Sequence, residues 1–466
     1  MNEDEFLNQV FEKVHSYLDN TGAIVEFIDQ SSLRRTSDLK LPLEGLGLEK
    51  VLSDIDYYLS KCVNTAHPGF MNPFWGGLNS AAFVGEIIAS LTNTSMYTFE
   101  LAPLATLIEQ ALIKRMSELV GYPDGNGTLT TGGSNGNMLG MMCGRYRADP
   151  LGQRRGFDGI KLAVYVSEES HYSVMMSANV LGIGFDNVIK IPCDADGRMR
   201  SDKLQEEIDR SRREGFTPVC VVATSGTTVR GAFDPIKEMA DICSAEDIWL
   251  HVDAAWGGSC LFSSNHRSLM EGIELADSVC WDAHKMMGIP MICSAFLIKD
   301  PKILRKICSH TNIGHYLFQD ETENVDLGHT SLQCGRRNDA LKLFFAWREI
   351  GDAGWAKIVD DYMDLAAYFE KQIISHPNLE LASSRQWTNL CLRYTNTEED
   401  LDQLNAEIRK RIMRRGKFMI SKSTLNGQTI LRPVISNPMV SRASLDELIG
   451  EINSTADDII RGIPQR

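Results

Sequence analysis

The sequence predicts an α/β protein organised on a mainly parallel sheet, with a helical segment before the sheet and an α+β domain after it. Three observations predict this class. Six short, nearly continuous apolar runs alternate with helical stretches through the middle of the chain, and the pattern gives way after about residue 340 to a long helix followed by strands. At 466 residues the chain also exceeds what one core usually organises, so a large domain and at least one smaller one are expected.

Taken in order, residues 1–60 read as amphipathic helices, with Phe6, Val10, Val14 and Leu18 at three-to-four spacing on one face that needs something to cover. A second helical pattern runs from Leu101 to Leu119 and is ended by Gly121-Tyr122-Pro123. The apolar runs are Leu162 to Val166, Val188 to Ile191, Val219 to Ala223, Ile248 to Val252, Ser278 to Trp281 and Ala295 to Ile298. Uninterrupted apolar runs mark strands buried on both faces, as in parallel sheets covered by helices. Strands near Thr388 to Tyr394 and Thr429 to Ile435 follow the long helix, and a closing helix is expected to begin at a capping box, Ser444-x-x-Glu447. The expected domains are 1–60, 61–345 and 346–466. There is no internal repeat and no low-complexity tract.

Composition narrows the partners. A formal charge of -15 argues against nucleic acid, whose phosphates require clustered Lys and Arg. The basic stretch Arg409 to Arg415 reads as a solvated helix face. Met1 to Phe11 is acidic and polar, unlike a secretory signal, and no apolar run is long enough to span a bilayer. Eleven cysteines without a C-x-x-C pair point to buried thiols in a reduced, cytoplasmic compartment. Ten histidines show no ligand spacing, and His251 with Asp253 reads as a strand end rather than a metal pair, so no metal is expected.

The chemistry centres on Trp281-Asp282-Ala283-His284-Lys285. A lysine alone is more often a surface residue, but at the end of a buried strand its charge is costly, its pKa is expected to fall, and its amine becomes a nucleophile toward an aldehyde. Upstream, His251-Val252-Asp253-Ala254-Ala255 places a carboxylate just past another buried strand, at the edge where α/β sheets bind ligands. Asp253 could cap a helix. With Lys285 it instead suits a protonated pyridine nitrogen, and Ala255 lets a ring lie against the backbone. The run from Leu129 to Asn137 contains Gly132-Gly133-Ser134-Asn135 before a helical stretch, where glycine amides, a hydroxyl and a helix N-terminus converge on an anion. His171, after the first apolar run, can stack on the ring, and Thr224 ends another run with a hydroxyl. An aldehyde, a pyridine and a phosphate together describe pyridoxal 5'-phosphate (PLP).

The chain resembles the group II PLP-dependent amino-acid decarboxylases, and within them the branch acting on glutamate, aspartate and cysteine sulfinate. The matching blocks are His67-Pro68-Gly69-Phe70, Asn93 to Glu100, Ala223 to Ile236, His251 to Gly258, His284-Lys285, Leu332 to Arg337 and Ile435 to Pro438. The resemblance implies PLP fold-type I, with a seven-stranded sheet and an obligate homodimer sharing its active sites. It implies that Lys285 bonds the cofactor, that Asp253 meets the pyridine nitrogen, that His171 stacks on the ring and Thr224 lies beside it, and that Gly133, Ser134, Asn135, Ala255 and His284 complete the cofactor site. Phe70, Ser95, Tyr97 and Arg432 match substrate-side positions. Arg432 corresponds to an arginine that grips a substrate carboxylate, and Ser95 and Tyr97 look like the cysteine sulfinate branch.

Three departures qualify the implied activity, decarboxylation of an acidic amino acid to its amine and carbon dioxide. Pro73 stands where that branch has a substrate-contacting glutamine. Asp282 stands where it has asparagine near the phosphate, and an anion there is expected to repel phosphate unless it points away or is protonated. Between Phe318 and Gly328 the chain is shorter and lacks the tyrosine that acts as proton donor in related decarboxylases, with Val325 roughly in its place, so that His171 or His329 would have to replace it. Decarboxylation coupled to oxidative deamination, a non-acidic substrate, and a non-catalytic family member are the alternatives.

Overall fold

Each of the six apolar runs is a strand, and a seventh strand joins them. In chain order they are β1 (Asn126–Thr130), β2 (Lys161–Ser167), β3 (Val188–Ile191), β4 (Phe216–Thr224), β5 (Trp249–Asp253), β6 (Ser278–Asp282) and β7 (Ser294–Ile298). They form one sheet in the order β1-β7-β6-β5-β4-β2-β3. The pairs from β3 through β6 are parallel, and β7 runs antiparallel to both β6 and β1. Parallel neighbours need crossover connections. Helices Ser173–Val180, Ser201–Arg213 and Ile236–Glu246 supply them between β2 and β5.

The computed structural model describes residues 1–19, 22–157, 159–309, 318, 325–397 and 400–464. By internal contact the chain divides into two compact units, one made of Met1–Gly77, Tyr368–Ala382 and Leu392–Arg466, the other of Leu78–Ala367 and Ser383–Cys391. The seven-stranded sheet lies in the latter.

One helix of that unit sets the site. Gly133–Ala148 carries glycines at 136, 140 and 144, four residues apart on one face. A methyl group at Gly136 would stand 2.5 Å from Cys280 Sγ, one at Gly144 2.6 Å from the Val219 carbonyl, and one at Gly140 would collide with the His251 ring. The glycines therefore let the helix backbone lie against β4, β5 and β6, closer than any side chain would permit. Asn137, on the same face, thereby reaches the carboxyl edge of the sheet.

The other unit holds the N-terminal helices Glu3–Leu18, Gln30–Thr36 and Leu48–Lys61. Asn2 caps the first in a reciprocal box with Glu5. Along its expected apolar stripe, Phe6, Val10 and Val14 are half-buried, whereas Leu18 is exposed. A five-stranded sheet follows the order Phe70–Met71, Met419–Leu425, Gln428–Arg432, Leu392–Tyr394, Leu379–Leu381. Its hairpin turns at Asn426-Gly427, whose φ values of 51° and 79° match a two-residue turn of the type that strand twist favours. The long helix is Ala340–Ser375, broken at Gly351.

The closing helix, Arg442–Ile460, begins a turn earlier than the sequence suggested. Ser441 is the cap, accepting from the Ser444 amide, while the Ser444 hydroxyl returns to the Ser441 amide at 2.9 Å. Ser444 is thus the last residue of the box rather than its first, because Arg442 and Ala443 extend the helix and Ser441 is extended at φ -132°. All eleven cysteines are free, and no helix among the described residues is long and apolar enough to cross a membrane.

Candidate active site

Parallel strands end along one edge, and there the polar residues gather. Asp253 closes β5, Thr224 closes β4 directly opposite it in register, and Asp282 closes β6. Lys285 follows Asp282 by one turn and His171 follows β2 by four residues.

Asp253 is 6% exposed. One of its oxygens accepts from Asn137 Nδ2 at 2.8 Å and the other from the Ala255 amide at 3.1 Å. The carboxylate is thereby aimed before any ligand arrives. His171 Nδ1 lies 2.8 Å from Ser173 Oγ, and burial lowers the imidazole below its ordinary value against the opposing pull of Asp253. Thr224 Oγ1, Ser225 Oγ and Asn135 Oδ1 are buried polar atoms that find no hydrogen-bond partner among the described residues. Unsatisfied buried groups clustered at a sheet edge are what a polar ligand would complete.

The Lys285 amine lies 3.2 Å from Asp282 Oδ2 and its side chain is 20% exposed. The expectation that burial would depress its pKa is overturned. Burial does act downward, but the Asp282 carboxylate, and after it Asp253, outweighs burial and holds the amine above the ordinary lysine value. Asp282 does not point away from the phosphate cradle either, since a methyl group on Gly133 would stand 3.0 Å from its Oδ2. Its side chain is 2% exposed, and Oδ2 is also 3.5 Å from His284 Nε2. His284 is itself held by the Cys293 carbonyl, 2.8 Å from Nδ1.

These residues fit PLP. The Gly133–Ala148 helix begins at Gly132 with no side chain capping its first turn; the Asn135 amide donates to the Gly132 carbonyl at 2.9 Å, which leaves the amides of Gly133 and Ser134 open to an anion. Gly133 and Ala255 together leave a smooth wall, a methyl on the former falling 3.1 Å from the Ala255 side chain. Asp253 is placed to meet a ring nitrogen, and Lys285 to supply the amine.

The family model for the pyridoxal-dependent decarboxylase conserved domain matches residues 31–395. The chain belongs to this family. It is a PLP-dependent carboxy-lyase of the α/β fold seen in its solved relatives. Acidic amino acid decarboxylase GADL1 of Bos taurus is 36% identical over 451 residues, covering 94% of this chain and 87% of that protein. Cysteine sulfinic acid decarboxylase of Rattus norvegicus is 36% identical over 452 residues, covering 94% and 92%. The crystal structure of mouse CSAD in apo form superposes with a TM-score of 0.93 at 34% identity, covering 97% of this chain and 98% of that one.

In this decarboxylase the sheet edge brings together Lys285, Asp253, Thr224 and His171, with Asp282 and Gly133 against one another. Ser95 and Tyr97 make a different set of contacts. The Tyr97 carbonyl accepts from the Gly328 amide at 2.8 Å, its ring stacks on Phe318 at 5.3 Å, and Phe318 stacks on His329 at 4.1 Å. Ser95 Oγ is 3.4 Å from the Cys334 carbonyl. Most of the tyrosine-free loop, residues 319–324, lies outside the described residues. Phe70 and Arg432 belong to the other unit, where Arg432 is 7% exposed, donates from Nε to Ser421 Oγ at 2.9 Å and lies 5.1 Å over the Phe74 ring.

Sequence reasoning missed Asn137, Ser173 and His251 as site residues. The signal for Asn137 was available, since it is the polar residue on a face otherwise made of glycines at four-residue spacing.

Proposed function

We propose that this decarboxylase acts on an acidic amino acid, cysteine sulfinate, aspartate or glutamate, and releases carbon dioxide and the corresponding amine. The observation that carries the reading is likeness at 36% identity, over nearly the whole chain, to relatives named for acidic amino acids and for cysteine sulfinic acid. Arg432 supports it: a buried guanidinium held by Ser421 and Phe74 is pre-organised for bidentate contact with an acidic group.

PLP, when bound, supplies an aldehyde that bonds an amine and a protonated ring that accepts the electron pair left by the departing carboxylate. Lys285 provides the amine that holds it. Asp253 would present its carboxylate to the ring nitrogen, His171 would stack on the ring, and Thr224 would give a hydroxyl beside it. Gly133, Ser134 and Asn135 would hold the phosphate, the open amides being those of Gly133 and Ser134.

The test is carbon dioxide release from cysteine sulfinate, aspartate, glutamate, 2,4-diaminobutyrate and the aromatic amino acids. Turnover confined to the acidic group is expected, and turnover confined to the others would overturn the substrate assignment. Lys285→Ala is expected to lose both turnover and the visible absorbance of lysine-bonded cofactor. A second reading rests on Val325 standing where related decarboxylases have a tyrosine: decarboxylation with oxidative deamination by oxygen to an aldehyde. Ammonia and peroxide released in step with carbon dioxide would favour it. We also propose a cytoplasmic homodimer, which would cover the exposed Leu7, Phe11, Leu39, Leu41 and Leu43. Sedimentation as a monomer at micromolar concentration would refute it.

A further inference from the structure

A single amide side chain lies between Asp253 and His171. Asn137 donates from Nδ2 to Asp253 Oδ2 at 2.8 Å and to Ser173 Oγ at 3.0 Å, and its Oδ1 lies 3.0 Å from His251 Nε2. Ser173 Oγ in turn lies 2.8 Å from His171 Nδ1. On the far side, His251 Nδ1 lies 2.9 Å from Ser278 Oγ, which accepts from Trp249 Nε1 at 2.9 Å. Asn137 and Ser173 are 1% exposed and His251 and Ser278 0%, so bulk water offers these groups no alternative partners.

The direction of every bond in this chain follows from its ends. A carboxylate only accepts and an indole N–H only donates. Asp253 therefore takes the amino end of Asn137, which turns Oδ1 toward His251 and requires the His251 proton on Nε2. His251 Nδ1 is then an acceptor for the Ser278 hydroxyl, whose own lone pair serves Trp249. On the near side, the second Asn137 N–H occupies Ser173 Oγ, and the Ser173 hydroxyl hydrogen is left to donate to His171 Nδ1. The Ser173 backbone N–H converges on that same nitrogen at 3.2 Å. With two donors on Nδ1, a neutral His171 carries its hydrogen on Nε2. Both rings are kept neutral by burial, which pushes His251 down to about 4 and lowers His171.

We infer that Asn137 is a positioning residue of this site, fixing the orientation of the Asp253 carboxylate and, through Ser173, the Nε2–H tautomer of His171. The inference rests on the assignment of Asp253 and His171 to the cofactor site. Its consequence is a defined hydrogen-bond donor at His171 Nε2 and a ring-facing carboxylate that cannot rotate, both set by one side chain.

The test uses holoenzyme labelled with ¹⁵N-histidine, without substrate, so that an error in the substrate assignment leaves the result unaffected. The His171 resonances are identified by their loss in His171→Phe. Long-range proton–nitrogen spectra are expected to show an unprotonated Nδ1 and a protonated Nε2, and the opposite tautomer would overturn the inference. In Ser173→Ala and in Asn137→Ala the single tautomer is expected to give way to a mixture. An unchanged His171 pattern in either folded variant would overturn the relay, and the wild-type spectrum decides the tautomer whether or not the variants fold. Asn137→Ala is also expected to weaken PLP binding roughly tenfold, the scale of one charge-assisted hydrogen bond. Ser173→Ala should leave PLP affinity within about twofold, because its hydroxyl does not touch Asp253. Equal PLP affinity in wild type and Asn137→Ala would overturn the Asp253 part of the inference.

Discussion

Glu109→Ala tests how the strand that leads into the Gly132-Gly133 turn is anchored. Glu109, in the helix Pro103–Val120, is fully buried, and Oε2 accepts from Arg336 Nη1 at 2.7 Å while Oε1 accepts from the Leu129 amide at 3.1 Å. Leu129 lies in β1, just before the Gly132-Gly133 turn, and the Arg336 carbonyl accepts from the Met96 amide at 2.8 Å. One carboxylate therefore ties a helix, a strand and the segment after residue 325. Removing it strands a guanidinium that is 5% exposed and orphans a buried backbone N–H. Breaking a buried ion pair from one side costs about 3–5 kcal/mol, and an unsatisfied amide about 1–3 kcal/mol, the two overlapping rather than adding. A destabilisation of about 4 kcal/mol is expected. Glu109→Leu combined with Arg336→Met removes both charges, and its cost should fall well below the sum of the single changes, because no charge is left unpaired. The assay is urea unfolding of the PLP-free protein at fixed concentration, so that ligand linkage does not mask the difference. A loss under about 1 kcal/mol for Glu109→Ala, or a double variant as unstable as the summed singles, would refute the reasoning.

Three further outcomes follow from the same geometry. The Lys285 amine is raised by Asp282, so the pair's stabilisation is present below the ordinary lysine pKa and lost as pH rises through the higher folded value; PLP uptake by the cofactor-free protein should quicken as pH rises, and Asp282→Asn should move that rise to lower pH, coincident profiles being the refuting result. Gly140→Ala should cost about 1–3 kcal/mol and weaken PLP binding, because the added methyl meets the His251 ring that holds Asn137; Gly450→Ala, in open space on the closing helix, should instead stabilise by about 0.5–1 kcal/mol, and equal melting shifts would refute the contrast. Burial pushes His251 from 6.5 down to about 4 and Asp234 from 3.8 up to about 7, so over nearly the same pH range the His251 contribution raises stability with pH by roughly 3 kcal/mol while the Asp234 contribution lowers it by roughly 4 kcal/mol. His251→Gln should expose the fall and Asp234→Asn the rise in unfolding measured between pH 4 and 7, and parallel curves for the two variants would refute the assignment.

The parallel strands were legible because a strand covered on both faces must be apolar at every position, a pattern that no nearby element shares. β1 was not, because Asn-Gly-Thr-Leu-Thr has one large apolar side chain; the strand is fixed by its ladder with β7 and by Glu109 rather than by its own hydrophobicity. The hairpin strand Met419–Leu425 buries only Ile420 and Leu425 and carries Ser-Lys-Ser-Thr between them, so its apolar content is diluted, although Asn426-Gly427 is a strong turn signal. The closing helix was misplaced by one turn because Ser441 and Ser444 are both plausible caps in sequence, and only the backbone of Ser441 distinguishes them.

The site divides along the same line. Lys285, Asp253, Thr224 and His171 were legible because parallel topology carries consecutive strand ends to one edge, so polar residues at those ends become neighbours without any knowledge of side chains. Asn137 and Asp282 escaped, since their roles depend on which atom faces which. Asp282 read as an anion near a phosphate, yet its spacing three residues before Lys285 puts it on the same turn, where it serves as the lysine's counter-ion. That role lasts only while the amine is an ammonium directed at Asp282. Once Lys285 turns to the cofactor the carboxylate loses that counter-ion, and His284 does not replace it: its Nδ1–H is committed to the Cys293 carbonyl, burial keeps the ring neutral, and the Nε2 that lies 3.5 Å from Asp282 therefore carries no hydrogen to donate.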